Sequence, residues 1–378
     1  MRPFYLYLLV WILPLTTSFW FISDFNIGIS TFSLNYLAAL LLTFFCVSLL
    51  FSFMFPNKRA RVDVVKKFNS KKSIKLQSQL VISWYLLFFL EVLYSGGLPV
   101  LWGGQQGYAE FGIPTIHGFS NMLRALIFSN IVLLHLLGMR VPAWVTGMSV
   151  FTLFSALVLE QSRGAFVMTL LFALGPMAIF MKISIFRVLK YSVFLIIFLA
   201  LLSTFQFIRY SDSPMEEILL VINLAIDGDV YKYLIEPVAN YIATPILNAG
   251  LNIDIADNFG FVPIDTMSTL VPSIFGEILF SGIETDYGAL FNEAFNTTTY
   301  VVPFVRDFGL VGGFIVISSF FTYSTYVFFK ARNGSVEHII KLSPLMMCLG
   351  LSFFTSYLTS LITIVYILIS RAVARRMV

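Results

Sequence analysis

Charge is scarce in this chain: Asp, Glu, Lys and Arg together make up 12% of its 378 residues, about half the share usual in a soluble globular domain. Cysteine is scarcer still. Both copies, Cys46 and Cys348, fall inside apolar stretches, where a free thiol behaves as a small hydrophobe, so neither a disulfide framework nor a cysteine zinc site is indicated. No P-loop, HExxH, GxSxG or CxxC pattern occurs, which leaves nucleotide-driven and zinc-dependent chemistry without support. No cofactor, metal or nucleic-acid partner is therefore expected. Internal repeats and low-complexity linkers are also missing.

What the chain has in abundance is apolar sequence, 58% of all residues. About 20 consecutive apolar residues cross the hydrocarbon core as a helix. Spans are predicted at 4–22, 31–55, 80–95, 120–138, 143–160, 165–181, 191–208 and 308–329, followed by an apolar block at 343–370. That block fits one long tilted helix or two short ones turning near Thr355 and Ser356. The runs are continuously apolar, whereas barrel strands alternate with period two. The expected fold is thus an all-α polytopic membrane protein, residues 1–378 forming a single transmembrane domain. The first apolar stretch follows Arg2 like a signal peptide but lacks a small-residue cleavage pattern, and it reads as a retained helix.

The few charges are sorted by sign. Loop 56–79 carries Lys58, Arg59, Arg61, Lys66, Lys67, Lys71, Lys72 and Lys75 against Asp63 alone, and such loops stay in the cytoplasm. Alternation then places Arg2, Arg140, the loops at 182–190 and 330–341, and the tail with Arg371, Arg375 and Arg376 on the same side. A cytoplasmic tail needs an even number of crossings, so about ten helices are predicted, with nine as the alternative. All but five of the 24 Lys and Arg fall inside under this topology, and all but two of the 20 Asp and Glu fall outside. The largest outer segment, 209–307, is long enough to fold as a cap. It contains two stretches of amphipathic character, 214–226 and 231–247, suited to lying along a membrane surface.

Four of the five outer cations, Arg124, Arg163, Arg209 and Arg306, are expected where a helix meets the outer interface. Arginine near hydrocarbon is costly and marks a functional candidate, and guanidinium grips phosphate bidentately. A plainer reading lets each arginine snorkel or pair locally, Arg163 with Glu160, Arg209 with Asp212 and Arg306 with Asp307. His117, in GIPTIHG, is the one histidine on the outer side and suits general-base work or a hydrogen bond to a sugar hydroxyl. The run NEAFNTTTYVVPFVRDFG brings Glu293, Asn296, Thr298, Tyr300, Arg306 and Asp307 near one interface. Its amides, hydroxyls and aromatic ring are the groups that contact sugars.

Three places, GIPTIHG, the QSRG turn at 161–164, and NTTTY…P…RDFG after a large external loop, resemble the Wzy-type oligosaccharide repeat-unit polymerases of bacterial O-antigen and capsule assembly. The resemblance implies a GT-C-like inner-membrane glycosyltransferase with cytoplasmic termini and a periplasmic active site, related to O-antigen ligases. Such enzymes act on undecaprenyl-diphosphate-linked oligosaccharides in the lipid bilayer, alongside a chain-length regulator and a flippase of the same pathway. On this reading Arg163 and Arg306 hold the diphosphate, Arg124 and Arg209 serve the second carrier or support, and Asn296, Thr298 and Tyr300 touch sugar. His117 is the first choice of base, with Glu293 and Asp307 as rivals. An O-antigen ligase is the nearest alternative. A flippase or transporter is disfavoured by the missing repeats and midplane charge cluster, and a sensor or scaffold would not need arginines at four helix ends.

Overall fold

A computed structural model describes residues 2–25, 29–55, 67–102, 110–181, 230–256, 264–271, 275, 288–290 and 297–378. Among them there is no strand; the elements are helices and turns. In chain order they are α1 (Pro3–Phe25), α2 (Thr31–Met54), α3 (Ser70–Tyr94), α4 (Ile116–Leu136), α5 (Ala143–Val158), α6 (Arg163–Phe172), α7 (Leu174–Phe180), α8 (Val230–Asp254), α9 (Ile264–Ser268), α10 (Val301–Arg332), α11 (Val336–Gly350) and α12 (Leu361–Met377). Five helical stretches among the described residues are long and apolar enough to cross a membrane: Thr31–Met54, Ser70–Leu101, Ile116–Leu136, Arg163–Phe180 and Val301–Arg332. Large apolar side chains such as Phe53, Leu86, Phe89, Val311 and Leu368 point outward, a surface that water would not tolerate over so many helices. This is the architecture of a membrane-embedded protein. The predicted span 191–208, the stretch 214–226 and the residues Arg209, Glu293 and Asn296 lie outside the described residues.

Polar residues mark several helix starts in an otherwise apolar chain. Ser30, Asn69, Ser162 and Ser360 each accept a backbone N–H of the first turn of α2, α3, α6 and α12, filling donors that a helix end leaves open. α3 begins ten residues earlier than its apolar run. Asn69 sets that start, so Lys71, Lys72 and Lys75 ride on its first turns rather than in a loop.

The basic segments meet at one end of the bundle. Arg2 Nη1 donates to Ser52 Oγ (2.7 Å) at the end of α2. The Met377 carbonyl accepts from the Asn69 N–H (2.9 Å) and Ser73 Oγ (3.0 Å) at the start of α3. Lys67 Nζ reaches the Gly334 carbonyl between α10 and α11 (3.0 Å). Ends distant in sequence thus share one face.

At the heart of the bundle is α11, packed against α1, α6, α7, α10 and α12 and buried at every residue from Leu342 to Gly350. A helix apolar all round belongs in such a position. Gly175 of α7 permits the closest approach, since a Cβ there would stand 2.6 Å from the Ser343 backbone. The apolar block at 343–370 divides into α11 and α12, separated by irregular residues 351–360. With 15 and 17 residues, these helices reach about 22 and 25 Å, short of the ~30 Å core. Irregular backbone at such depth must be satisfied by protein or water. Here the Ser352 carbonyl accepts the Tyr300 N–H (3.0 Å) and the Leu361 N–H donates to the Thr269 carbonyl (3.1 Å).

α10 is not one straight rod. Gly309 has φ 66° and ψ 178°, a region open only to glycine. A Cβ on Gly313 would lie 3.1 Å from the Phe304 carbonyl carbon, an approach that a continuous helix could not give residues nine apart. The chain therefore reverses at Gly309, and residues 301–308 fold back along 310–332. The remaining 23 residues of α10 still span about 34 Å.

The second amphipathic stretch departs from expectation. Residues 231–247 belong to α8, whose described side chains from Ala243 to Asn248 are buried where it packs on α1, α2 and α10. That half of the helix is an inner element, because its polar positions Asn248 and Asn252 bond to protein. Asn248 Nδ2 donates to the Thr297 carbonyl (2.9 Å), and Asn252 Nδ2 to the Ala289 carbonyl (2.8 Å).

Candidate functional site

Along α3, Gln77, Trp84 and Glu91 recur every seven residues and are all buried. Two helical turns take nearly that spacing, so all three face one way. They face α4, which runs antiparallel: Gln77 Nε2 donates to the Ile127 carbonyl (3.0 Å), Trp84 stacks on Arg124 with Cζ 5.2 Å from the ring centroid, and Glu91 meets His117. The three contacts build a polar seam ending away from the basic face.

Arg124 is fully buried. It donates through Nη2 to Glu160 Oε1 and through Nη1 to Asn121 Oδ1 (2.6 Å). The expectation that Arg124 opens a helix at the interface is corrected: α4 starts at Ile116, putting Arg124 about 12 Å further along its axis. The reason lies in the loop before it. Thr115 turns the chain with φ 67°, and the helix begins ahead of its apolar stretch. A guanidinium so enclosed is neutralised by its carboxylate and the Trp84 face, and removing one partner would strand the other's charge.

His117 occupies the second position of α4. Its Nδ1 lies 3.0 Å from Glu91 Oε1, with the imidazole 28% exposed and the carboxylate side chain fully enclosed. The loop before it is pinned where the Gly112 N–H donates to Ser95 Oγ (2.8 Å). Gly112 itself (φ 99°) lies so close that any Cβ would come within 2.6 Å of the imidazole. Phe111 meets the ring edge-on at 5.7 Å.

Arg163 is the first residue of α6, half-buried, after the tight turn in which Gln161 takes φ 58°. A cation at a helix N-terminus opposes the helix dipole, while an anion there would be favoured by both. α6 packs on α4, the helix that carries His117, and Glu160, three residues before Arg163, holds Arg124 of that helix.

The remaining predicted residues form a separate group. Tyr300 is 1% exposed, its hydroxyl 3.0 Å from that of Tyr7 and its ring edge-on to Tyr7 and Trp11. No face is open to a sugar ring. Asp307 is 2% exposed and accepts the Thr266 N–H (2.6 Å) and hydroxyl, tying α9 to the hairpin. Its carboxylate stabilises a short helix rather than facing solvent. Thr298 and Arg306 are half-buried, Arg306 three residues before the Gly309 reversal. α11 packs against both α6 and α10 and so lies between the two groups.

Glu91, Trp84 and Asn121 are the site residues that the sequence did not single out, and Glu160, named there as a partner for Arg163, holds Arg124. A signal for Glu91 existed, since it is the lone carboxylate in the apolar run 80–95 and intramembrane ionisable residues are functional candidates by default. No protein-family model, curated protein or solved structure matches the chain.

Proposed function

We propose that this protein is a Wzy-type polysaccharide polymerase, a metal- and nucleotide-independent glycosyltransferase of the bacterial inner membrane. It moves a growing chain from undecaprenyl diphosphate to the terminal sugar of a new lipid-linked repeat unit at the periplasmic face. The observation that supports this reading is a partly exposed imidazole on α4 backed by a buried carboxylate (His117, Glu91), α4 being a helix against which α6, with Arg163 at its start, packs.

Transfer from a glycosyl diphosphate develops negative charge on the leaving group, and preorganised cations stabilise it. Arg163, at the positive end of the α6 dipole, supplies such a cation. Arg306, at the hairpin, is the second candidate for the carrier. The acceptor hydroxyl needs a base within hydrogen-bond reach, and His117 has the exposure for it that Asp307 does not. Arg124 takes the role of support, holding α4 through Glu160. Ten crossings, cytoplasmic termini and a periplasmic cap at 209–307 complete the proposal.

Purified protein incubated with a synthetic undecaprenyl-diphosphate repeat unit, without nucleotide or metal, should yield elongated lipid-linked chains. Unchanged substrate would exclude the polymerase. In cells, Arg163→Ala should leave protein abundance intact and only single repeat units on the lipopolysaccharide, whereas wild-type chain lengths would remove Arg163 from the site.

A further inference from the structure

Glu91 has no contact with solvent, and it sits in the last turn of α3 with one oxygen on His117. Its other oxygen, Oε2, is enclosed without a hydrogen-bond partner among the described residues. A carboxylate left there without purpose would be expensive, and a neutral side chain of similar size would pack as well. Building on the proposed glycosyl transfer, we infer that Glu91 is the positioning residue that holds His117 with its proton on Nδ1 and its lone pair on Nε2.

With Glu91 ionised, the geometry sets the tautomer. An ionised carboxylate only accepts hydrogen bonds, so a 3.0 Å approach to Nδ1 requires the proton on that nitrogen, and the neutral imidazole then carries its lone pair on Nε2. Ring reversal is opposed from several sides. The Gly112 backbone lies against the ring, Phe111 meets its edge, and the His117 N–H is bonded to the Ile113 carbonyl (2.8 Å), which anchors the backbone from which the ring extends.

The step this prepares is balanced. The acceptor hydroxyl gives its proton to His117 Nε2 while its oxygen uses an electron pair to bond the anomeric carbon. The bond from that carbon to the diphosphate oxygen breaks, and its electron pair leaves with the diphosphate. The imidazolium formed is stabilised by the Glu91 carboxylate it already touches. This arrangement follows the logic of a carboxylate orienting a catalytic imidazole. Glu91 touches no substrate and acts through His117.

The test is ¹⁵N NMR of full-length protein labelled at histidine, with the His117 signals assigned by their loss in His117→Gln. The wild type should show His117 protonated on Nδ1 when neutral, and Glu91→Gln, whose amide can donate, should shift the population toward the Nε2-protonated form. A wild type already protonated on Nε2 overturns the inference, even if Glu91→Gln does not fold; so does an identical tautomer in both proteins. Because the spectrum is read without turnover, failure of the polymerase assay leaves it intact, and the two ideas fall separately. Where elongation is measurable, Glu91→Gln should lower kcat by about 10²-fold or more at unchanged KM, and adding His117→Gln should lower it little further. A raised KM at unchanged kcat would assign Glu91 to substrate binding and also overturn the inference.

Discussion

Two regions of this protein bury polar groups among apolar helices, and they do so in opposite ways. Around Tyr300 the groups satisfy one another. The Tyr7 and Tyr300 hydroxyls pair at 3.0 Å, Trp11 Nε1 donates to Ser352 Oγ at 2.8 Å, and aromatic rings, with Phe44 and Phe321 stacked at 4.1 Å, close around them. Along α3 and α4 charged and neutral polar groups are only partly satisfied: Trp84 Nε1, Glu91 Oε2, Ser120 Oγ and Arg124 Nε, with Glu160 Oε2 beside them, are enclosed without a hydrogen-bond partner among the described residues. Closed pairs of neutral groups fix packing. Charges with spare valence are costly to keep, and such groups belong where protons or anions are handled.

That contrast can be broken by substitution. The largest effect is expected at the seam: Glu160→Ala should strand the Arg124 charge and cost about 3–5 kcal/mol, read as a fall in detergent-solubilised thermal stability. The double variant Arg124→Met with Glu160→Met should recover most of it. If Glu160→Ala is neutral, the seam is no more costly than the aromatic region. A smaller loss, about 1–3 kcal/mol, is expected for Tyr300→Phe, which leaves the Tyr7 hydroxyl buried and unpaired, while Tyr7→Phe with Tyr300→Phe should be nearly neutral. Polymer length should not change in either. A shortened polymer at normal stability would return Tyr300 to the sugar-binding site. The smallest effect sharpens the comparison beside the seam: Ser162→Ala removes the cap from α6 and should cost ~1 kcal/mol. Activity should fall more than this loss of stability explains, because the capped turn also aims Arg163.

How much could be read in advance follows the same division. Hydropathy located α1, α2 and α4 to α7 to within a few residues, apart from the early start of α4, and it allowed for the break between α11 and α12. It missed that residues 301–308 double back, since a reversal at Gly309 leaves the apolar run unbroken. His117 and Arg163 were legible as chemistry-bearing residues at helix starts. In the sequence Glu91 is one outer carboxylate among many, and Tyr300 reads as a sugar platform because nothing in its neighbourhood announces a partner 293 residues away.

The sequence by itself determined that the chain is helical, membrane-embedded and sorted by charge, because transfer free energies act residue by residue and add along each stretch. Which carboxylate meets which cation was left to the tertiary structure. Each step along a helix turns the side chain by about 100°, so whether Glu91 faces His117 or lipid depends on how α3 is rotated against α4. Packing between helices decides that rotation.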